Sequence, residues 1–125
     1  MSDTDKEGGF STRVAEAATA LRDLFPETPL QLNAHLSKKY GARVFLKRED
    51  LSPVRSYKIR GAYTFFRKAL SQREPAAGFV CASAGNHAQG FAFACRQLGK
   101  KGVIFMPVTT PQQKIDKPVM FGGKF

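Results

Sequence analysis

The fold is decided by residues 79–106, which read FVCASAGNHAQGFAFACRQLGKKGVIFM. Residues 79–82 and 103–106 are short and continuously apolar, which predicts two buried strands. Residues 87–98 are apolar nearly all round the helical wheel, so they predict a buried helix, and Gly99 supplies its stop. Continuous apolar strands joined by a helix are typical of a parallel pair. We therefore predict an α/β fold, with a parallel sheet flanked by helices and a right-handed crossover.

Apolar periodicity extends this pattern toward the amino terminus. It predicts helices over residues 11–25, 31–40 and 57–70, a strand over residues 43–47 and a polar loop over residues 48–55. Ser56 precedes the third of these helices, and its hydroxyl makes it the candidate N-cap.

The carboxyl-terminal segment carries both start and stop signals for a helix. Thr110-Pro111-Gln112-Gln113 has the form of a capping box with proline at the first helical position, which predicts a helix start. Pro118 is predicted to break or kink that helix near Lys117, because proline has no N–H to donate. Residues 122–123 are both glycine and predict a turn, and residues 124–125 are predicted to begin a strand.

Composition narrows the class of protein. The 125 residues carry a net charge of +10, but the basic residues are scattered, without a stripe that alternates with aromatics, which argues against nucleic acid as a partner. No apolar run approaches the roughly 18 residues that span a membrane, and the polar start lacks a signal-peptide layout, so we expect a cytoplasmic protein. Cys81 and Cys95 stand in apolar surroundings without further ligands at metal spacing, which predicts reduced core thiols and no metal.

Lys58 is the first candidate for chemistry, within Ser56-Tyr57-Lys58-Ile59-Arg60-Gly61-Ala62. The pattern places this lysine in the first turn of a helix, at the positive end of the macrodipole, where the field favours the neutral amine. A neutral lysine amine is a nucleophile that can form a Schiff base with an aldehyde. The segment alone leaves open a lysine that simply points into solvent.

Ser83-Ala84-Gly85-Asn86-His87 is the second candidate, because it lies between a predicted strand and a predicted helix. Backbone N–H groups at such a turn form a ready site for a carboxylate or phosphate. Gly85 lets a ligand approach the backbone, and Asn86 offers both a donor and an acceptor. An ordinary helix cap by Ser83 or Asn86 remains an alternative, and His87 is more often a capping or packing residue than a catalyst.

Together the two segments are far more specific than either alone. Residues 56–62, followed by Ser-Ala-Gly-Asn-His-Ala-Gln-Gly at residues 83–90, resemble the fold-type-II pyridoxal-phosphate enzymes of the threonine dehydratase and serine racemase group. Residues 28–30, 46–51 and 111–115 agree with the same family. Within it, Val54-Arg55-Ser56 resembles the biosynthetic threonine dehydratases, whereas serine racemases usually carry Thr-Gly-Ser there. Ile59-Arg60 after the lysine differs from the Asp-Arg of cysteine and threonine synthases.

The resemblance implies a role for each matched residue. Lys58 would hold pyridoxal 5′-phosphate covalently and later act as the base at the substrate α-carbon, and Asn86 would hydrogen-bond the 3-oxygen of the cofactor ring. The substrate carboxylate would be held by Ser83, Ala84, Gly85, Asn86 and His87. The implied reaction converts L-threonine, or L-serine, to a 2-oxo acid and ammonia; with threonine the product is 2-oxobutanoate, the first step of isoleucine biosynthesis. A serine racemase or serine dehydratase, or a non-catalytic interaction fragment, remain the alternatives.

The resemblance also suggests how the chain is organised. We expect residues 1–27 to form an amino-terminal extension and helix, and residues 28–125 to form part of a catalytic region like that of the tryptophan synthase β-subunit. The family's glycine-rich phosphate loop and the regulatory domain of its biosynthetic members have no match in these 125 residues. We therefore expect this chain to be inactive by itself, and the full-length protein to be a homo-oligomer without nucleic-acid or membrane partners.

Overall fold

The computed structural model describes residues 9–72, 74–75 and 77–121. The elements in chain order are α1 (Phe10–Arg22), β1 (Leu30–Leu32), α2 (Ala34–Tyr40), β2 (Phe45–Lys47), a 3₁₀ helix (Glu49–Leu51), α3 (Lys58–Leu70), β3 (Gly78–Ala82), α4 (Asn86–Gln97), β4 (Lys101–Phe105) and α5 (Gln112–Met120). Within this described part, no helix is long and apolar enough to cross a membrane.

β3 and β4 form the parallel pair that the sequence predicts. Their register runs from Gly78 opposite Lys101 to Ala82 opposite Phe105, and α4 connects them. Gly99 adopts a positive φ of 62°, which turns the chain out of α4 and confirms it as the helix stop. The α/β class and the parallel pairing are therefore confirmed, and the hand of the crossover stays a prediction.

The main core lies where α3 and α4 pack together over the parallel strands. Phe66 of α3 stacks on Phe79 of β3, with ring centroids 3.8 Å apart, and meets Phe91 of α4 edge-on at 5.3 Å. Ile104 closes this cluster from β4. A second cluster joins the end of α1 to the start of α3 through Leu21, Phe25, Val54 and Ile59.

Both cysteines belong to this interior as the sequence predicts. Cys95 is buried, Cys81 is partly buried, and both are free thiols. Burial raises the pKa of the Cys95 thiol to about 11, and the neighbouring Cys81 adds to that shift. A thiol with so high a pKa stays protonated at neutral pH and serves as a packing group.

The helix predicted over residues 31–40 is wrong at its start. Leu30–Leu32 form a strand that pairs antiparallel with Phe45–Lys47, and the helix begins only at Ala34. The reason is the cap, because the Asn33 side chain accepts a hydrogen bond from the Leu36 N–H at 2.8 Å. The predicted loop over residues 48–55 also contains a short 3₁₀ helix.

Both predicted hydroxyl caps are wrong. Tyr57 is the N-cap residue of α3, and Ser56 instead has its backbone held by Ser52, whose hydroxyl accepts from the Ser56 N–H and donates to the Ser56 carbonyl. Pro111, not Thr110, is the N-cap residue of α5. Among the described residues, the buried hydroxyls of Ser56 and Thr110 have no hydrogen-bond partner.

Of the break or kink predicted at Pro118, the break is wrong, and the kink stays a prediction. α5 continues through this proline to Met120, and Pro118 is buried in the interior. Burial of the ring offsets the loss of one helical hydrogen bond. The turn and strand predicted over residues 122–125 lie outside the described residues.

Candidate active site

Lys58 is the first residue of α3, and Tyr57 before it is the N-cap residue. The Lys58 side chain is partly buried, and its Nζ lies 5.1 Å from the centroid of the exposed Tyr57 ring. Val54 and Ile59 on either side are fully buried. The backbone that carries the Lys58 side chain is therefore held by buried residues on both sides of it.

A polar cluster ties the first turn of α3 to the segment before β1 and the 3₁₀ helix after β2. The Arg60 guanidinium donates to both carboxylate oxygens of Glu49, through Nε and Nη2 at 2.8 Å each. The buried Thr28 hydroxyl donates to the same carboxylate at 2.5 Å and accepts from Arg60 at 3.2 Å. The Lys47 ammonium donates to the Thr28 carbonyl at 2.5 Å. Because Arg60 lies two residues after Lys58, this cluster fixes the helical turn that carries the lysine.

The charges in this cluster stabilise one another. The hydrogen bond from Arg60 lowers the pKa of the Glu49 carboxyl, and the Thr28 hydroxyl lowers it further, although partial burial opposes both. The same hydrogen bond raises the pKa of Arg60. Both residues lie inside segments that match the family, but no sequence pattern indicated a role for them. Their opposite charges, in two segments that both match the family, are the one feature of the sequence that could have indicated this ion pair.

The loop over residues 83–87 leaves the carboxyl end of β3 and enters α4. The Ser83 N–H donates to the Phe105 carbonyl at 3.0 Å, which extends the parallel ladder by one residue. The Ser83 hydroxyl accepts from the Gly85 N–H at 3.3 Å, and Gly85 is the N-cap residue of α4. In the part of the chain that the structure describes, no side chain caps α4, so the alternative of a simple cap by Ser83 or Asn86 is wrong.

This arrangement leaves donors at the first turn of α4. The first N–H groups of a helix have no acceptor within the helix, and here the Asn86 and His87 positions are solvent-exposed. Ser83 and Ala84 are partly buried beneath them. The positive end of a helix with accessible N–H groups can bind a carboxylate or phosphate. His87 meets Phe91 edge-on, with ring centroids 6.5 Å apart, and is thereby oriented by packing.

Gly90 brings the two candidate segments together. A Cβ placed on Gly90 would lie 3.0 Å from the Lys58 carbonyl carbon, so α4 crosses the start of α3 at close range. Asn86 lies one helical turn before Gly90 and therefore on the same face of α4. The start of α3, which carries Lys58, therefore lies against α4 one helical turn after Asn86.

Two clefts lie near these elements. The larger, about 580 Å³, is lined by α1 and α3 and contains none of the predicted site residues. The smaller, about 280 Å³, is an apolar cleft among α3, β3 and α4, and His87 is part of its wall. The second cleft therefore adjoins the candidate region from the α4 side.

Comparison with known proteins gives the same family as the motifs. The sequence profile described as "Pyridoxal-phosphate dependent enzyme" matches residues 21–125. A biosynthetic L-threonine dehydratase of Staphylococcus epidermidis is 53% identical over 109 residues, covering 87% of this chain and 26% of that protein. The chain therefore spans about a quarter of the length of that curated relative.

Solved structures agree on the fold. The processed form of threonine deaminase isoform 2 from Solanum lycopersicum superposes with a TM-score of 0.78 at 41% identity, over 90% of this chain and 33% of that one. Maize serine racemase superposes with a TM-score of 0.81 at 27% identity, over 90% and 34% of the two chains. These neighbours are fold-type-II enzymes, and pyridoxal phosphate is the cofactor of the family. With a profile match over most of its length and a relative at this level of identity, the chain belongs to the pyridoxal-phosphate dependent enzyme family.

Proposed function

We propose that this chain forms the lysine-bearing part of a lyase that converts L-threonine to 2-oxobutanoate and ammonia, the committing reaction of isoleucine biosynthesis. The observation that supports the proposal is the close crossing of α4 over the Lys58–Ile59 peptide, one helical turn after a helix start that no side chain caps. The 53% identity to a biosynthetic threonine dehydratase supports threonine as the substrate.

The residues present suit the family's cofactor. Pyridoxal phosphate carries an aldehyde, which a primary amine such as that of Lys58 can bind covalently. Its ring carries a 3-oxygen, for which the exposed amide of Asn86 is a suitable donor. Gly90 leaves no side chain between α4 and the Lys58 peptide, so the two binding groups can face the same molecule.

Each residue then has a distinct task. Lys58 would hold the cofactor and, once the substrate amine has taken its place, accept the α-proton of the substrate on its own amine. The backbone of the loop Ser83, Ala84, Gly85, Asn86 and His87 would hold the substrate carboxylate, chiefly through the N–H groups at the first turn of α4. When bound, pyridoxal phosphate supplies an electron sink for the α-carbon. The proton removed from the α-carbon offsets the proton that the β-hydroxyl gains when it leaves as water, and addition of water to the released enamine gives the 2-oxo acid and ammonia.

Burial and charge at the site fit these tasks. Anchoring of the first turn of α3 by Arg60 and Glu49 keeps the Lys58 backbone in place while its side chain moves between cofactor and substrate. The exposed Asn86 and His87 positions leave the carboxylate site open to a small molecule. We further propose that residues 28–125 form part of the catalytic region. The natural-length protein would be a cytoplasmic homo-oligomer.

The test is an assay of 2-oxobutanoate with the protein in its natural length. Lys58→Ala should abolish threonine turnover, whereas Lys101→Ala, which changes an exposed lysine of β4, should leave turnover unchanged. L-Serine is assayed in parallel for pyruvate and for D-serine. D-serine as the main product would favour a racemase, and sustained threonine turnover by Lys58→Ala would overturn the proposal.

A further inference from the structure

We propose that Gly90 is a positioning residue for Lys58, whose lack of a side chain sets how closely α4 approaches the peptide that carries the lysine. The proposal rests on the role proposed for Lys58 above. It assigns a function to a position on α4 that touches the backbone of Lys58 rather than its amine.

The contact at Gly90 is with main-chain atoms. A Cβ at this position would lie 3.0 Å from the Ile59 nitrogen, 3.0 Å from the Lys58 carbonyl carbon and 3.2 Å from the Lys58 carbonyl oxygen. Real Cβ atoms rarely approach their neighbours so closely, and backbone cannot rotate aside as a side-chain tip can. A methyl group at Gly90 must therefore move either α4 or the Lys58–Ile59 peptide by a few tenths of an ångström.

Movement of α4 is opposed by its close packing on β4. Phe91 and Cys95 of α4 already rest on the backbone of β4, because a Cβ on Gly102 would lie only 2.7 Å from Cε1 of Phe91 and from Sγ of Cys95. Both side chains are buried. Close-packed interiors transmit such strain rather than absorb it.

Retreat of α3 is blocked as well. Ile59 is fully buried in the cluster with Leu21, Phe25 and Val54, and Arg60 is held by the Glu49 carboxylate. The helix cannot move as a body without breaking these contacts. The displacement is therefore concentrated in the Lys58–Ile59 peptide, from which the Lys58 side chain departs.

Gly61 provides a matched control for this substitution. It is also a glycine within a helix, three residues from Lys58, and a Cβ there would meet nothing within 4 Å. Gly61→Ala therefore applies the same change in chemistry and helix propensity without the clash. A difference between the two variants isolates the contact at Gly90.

The experiment compares the wild type, Gly90→Ala and Gly61→Ala in the natural-length protein at saturating pyridoxal phosphate. Borohydride reduction and peptide mapping identify the modified lysine, and visible circular dichroism reports how firmly the bound cofactor is oriented. We expect Gly90→Ala to retain labelling at Lys58 but to lose dichroic intensity by about twofold or more and kcat by roughly tenfold, with KM for threonine little changed. Gly61→Ala should match the wild type in every readout.

The outcomes separate the two proposals. Labelling of a lysine other than Lys58 in the wild type overturns the proposed function, and the Gly90 inference with it. Labelling at Lys58 with Gly90→Ala equal to Gly61→Ala overturns the Gly90 inference alone. If Gly90→Ala does not fold, Ile59→Val is compared with the double variant Gly90→Ala/Ile59→Val, because the smaller side chain at residue 59 lets α3 move away from α4. Equal visible dichroism and equal kcat in these two variants would overturn the inference.

Discussion

At the scale of single residues, the site depends on the ion pair between Glu49 and Arg60. Both side chains are partly buried, at 19% and 30% exposed, so water screens their attraction less than that of a fully exposed pair. Two hydrogen bonds in a fork geometry add direction to the charge, which makes this pair stronger than an exposed one. We expect it to stabilise the fold and to keep the Lys58 turn in a single conformation.

This ion pair predicts a pH-dependent stability. Glu49 has a folded-state pKa lowered from 4.5, so its contribution is complete above that value and is lost as the pH falls through the lower pKa of the folded state. Glu49→Gln should lower the free energy of unfolding by roughly 1–3 kcal/mol near neutral pH. The gap between wild type and variant should narrow on acidification, as measured by urea unfolding at a series of pH values.

Asp50→Asn is the control, since Asp50 pairs with Arg48 at an exposed site. It should change unfolding less than Glu49→Gln does. A gap between wild type and Glu49→Gln that stays constant into acid would contradict the role given to this pair.

Residues that act through a local pattern could be predicted from the sequence, and residues that act through distant partners could not. Lys58 and Asn86 lie in contiguous motifs, and the start of α3 packs against α4 at Gly90, one turn after Asn86. Thr28 and Arg60 meet across 32 positions of the chain, so no spacing rule indicated their contact. The caps predicted at Ser56 and Thr110 failed because hydroxyl propensity is weaker than the packing that buries these residues.

At the scale of elements, the turn from α4 into β4 depends on Gly99. Its φ of 62° lies in the left-handed region, where the Cβ of an L-residue crowds the following carbonyl oxygen. Space is not the limit, because a Cβ on Gly99 would meet nothing within 4 Å. Gly99→Ala should therefore cost about 1–2 kcal/mol of unfolding free energy through backbone strain alone.

Urea unfolding of Gly99→Ala beside Gly61→Ala checks this prediction. Gly61 lies in a helical conformation with open space around its Cα, so alanine there should be neutral or slightly stabilising. Equal unfolding free energies for the two variants would show that the left-handed turn does not control the α4–β4 junction.

Long periodic elements could be predicted, and short ones that depend on pairing could not. α1, α3 and α4 have continuous apolar faces, and β3 and β4 are continuous apolar runs, so their sequences specify them. β1 has three residues, all exposed, and exists because β2 supplies its hydrogen bonds. The apolar–polar alternation of these three residues is too short to outweigh the helical periodicity of the residues that follow.

At the scale of the whole molecule, the parallel strands present uncovered apolar surface. Val80 of β3 is 69% exposed and Phe105 of β4 is 64% exposed. Within the described ranges, neither strand pairs with a third one. Apolar side chains on unpaired strands promote association between molecules.

A polypeptide of residues 1–125 alone should therefore self-associate, bind a hydrophobic dye and show no threonine turnover. Val80→Thr keeps the shape of the side chain and should reduce dye binding and light scattering without lowering the helical circular dichroism signal. A monomer that binds no dye would contradict this account of the exposed strands.

Whether Lys58 holds the cofactor can be read from the position of a reduced cofactor label. The natural-length protein is loaded with pyridoxal phosphate, reduced with borohydride, digested and mapped by mass spectrometry. We predict a phosphopyridoxyl group on Lys58 in the wild type and none at any position in Lys58→Ala. A stoichiometric label on another lysine, or a label that persists in Lys58→Ala, would contradict it.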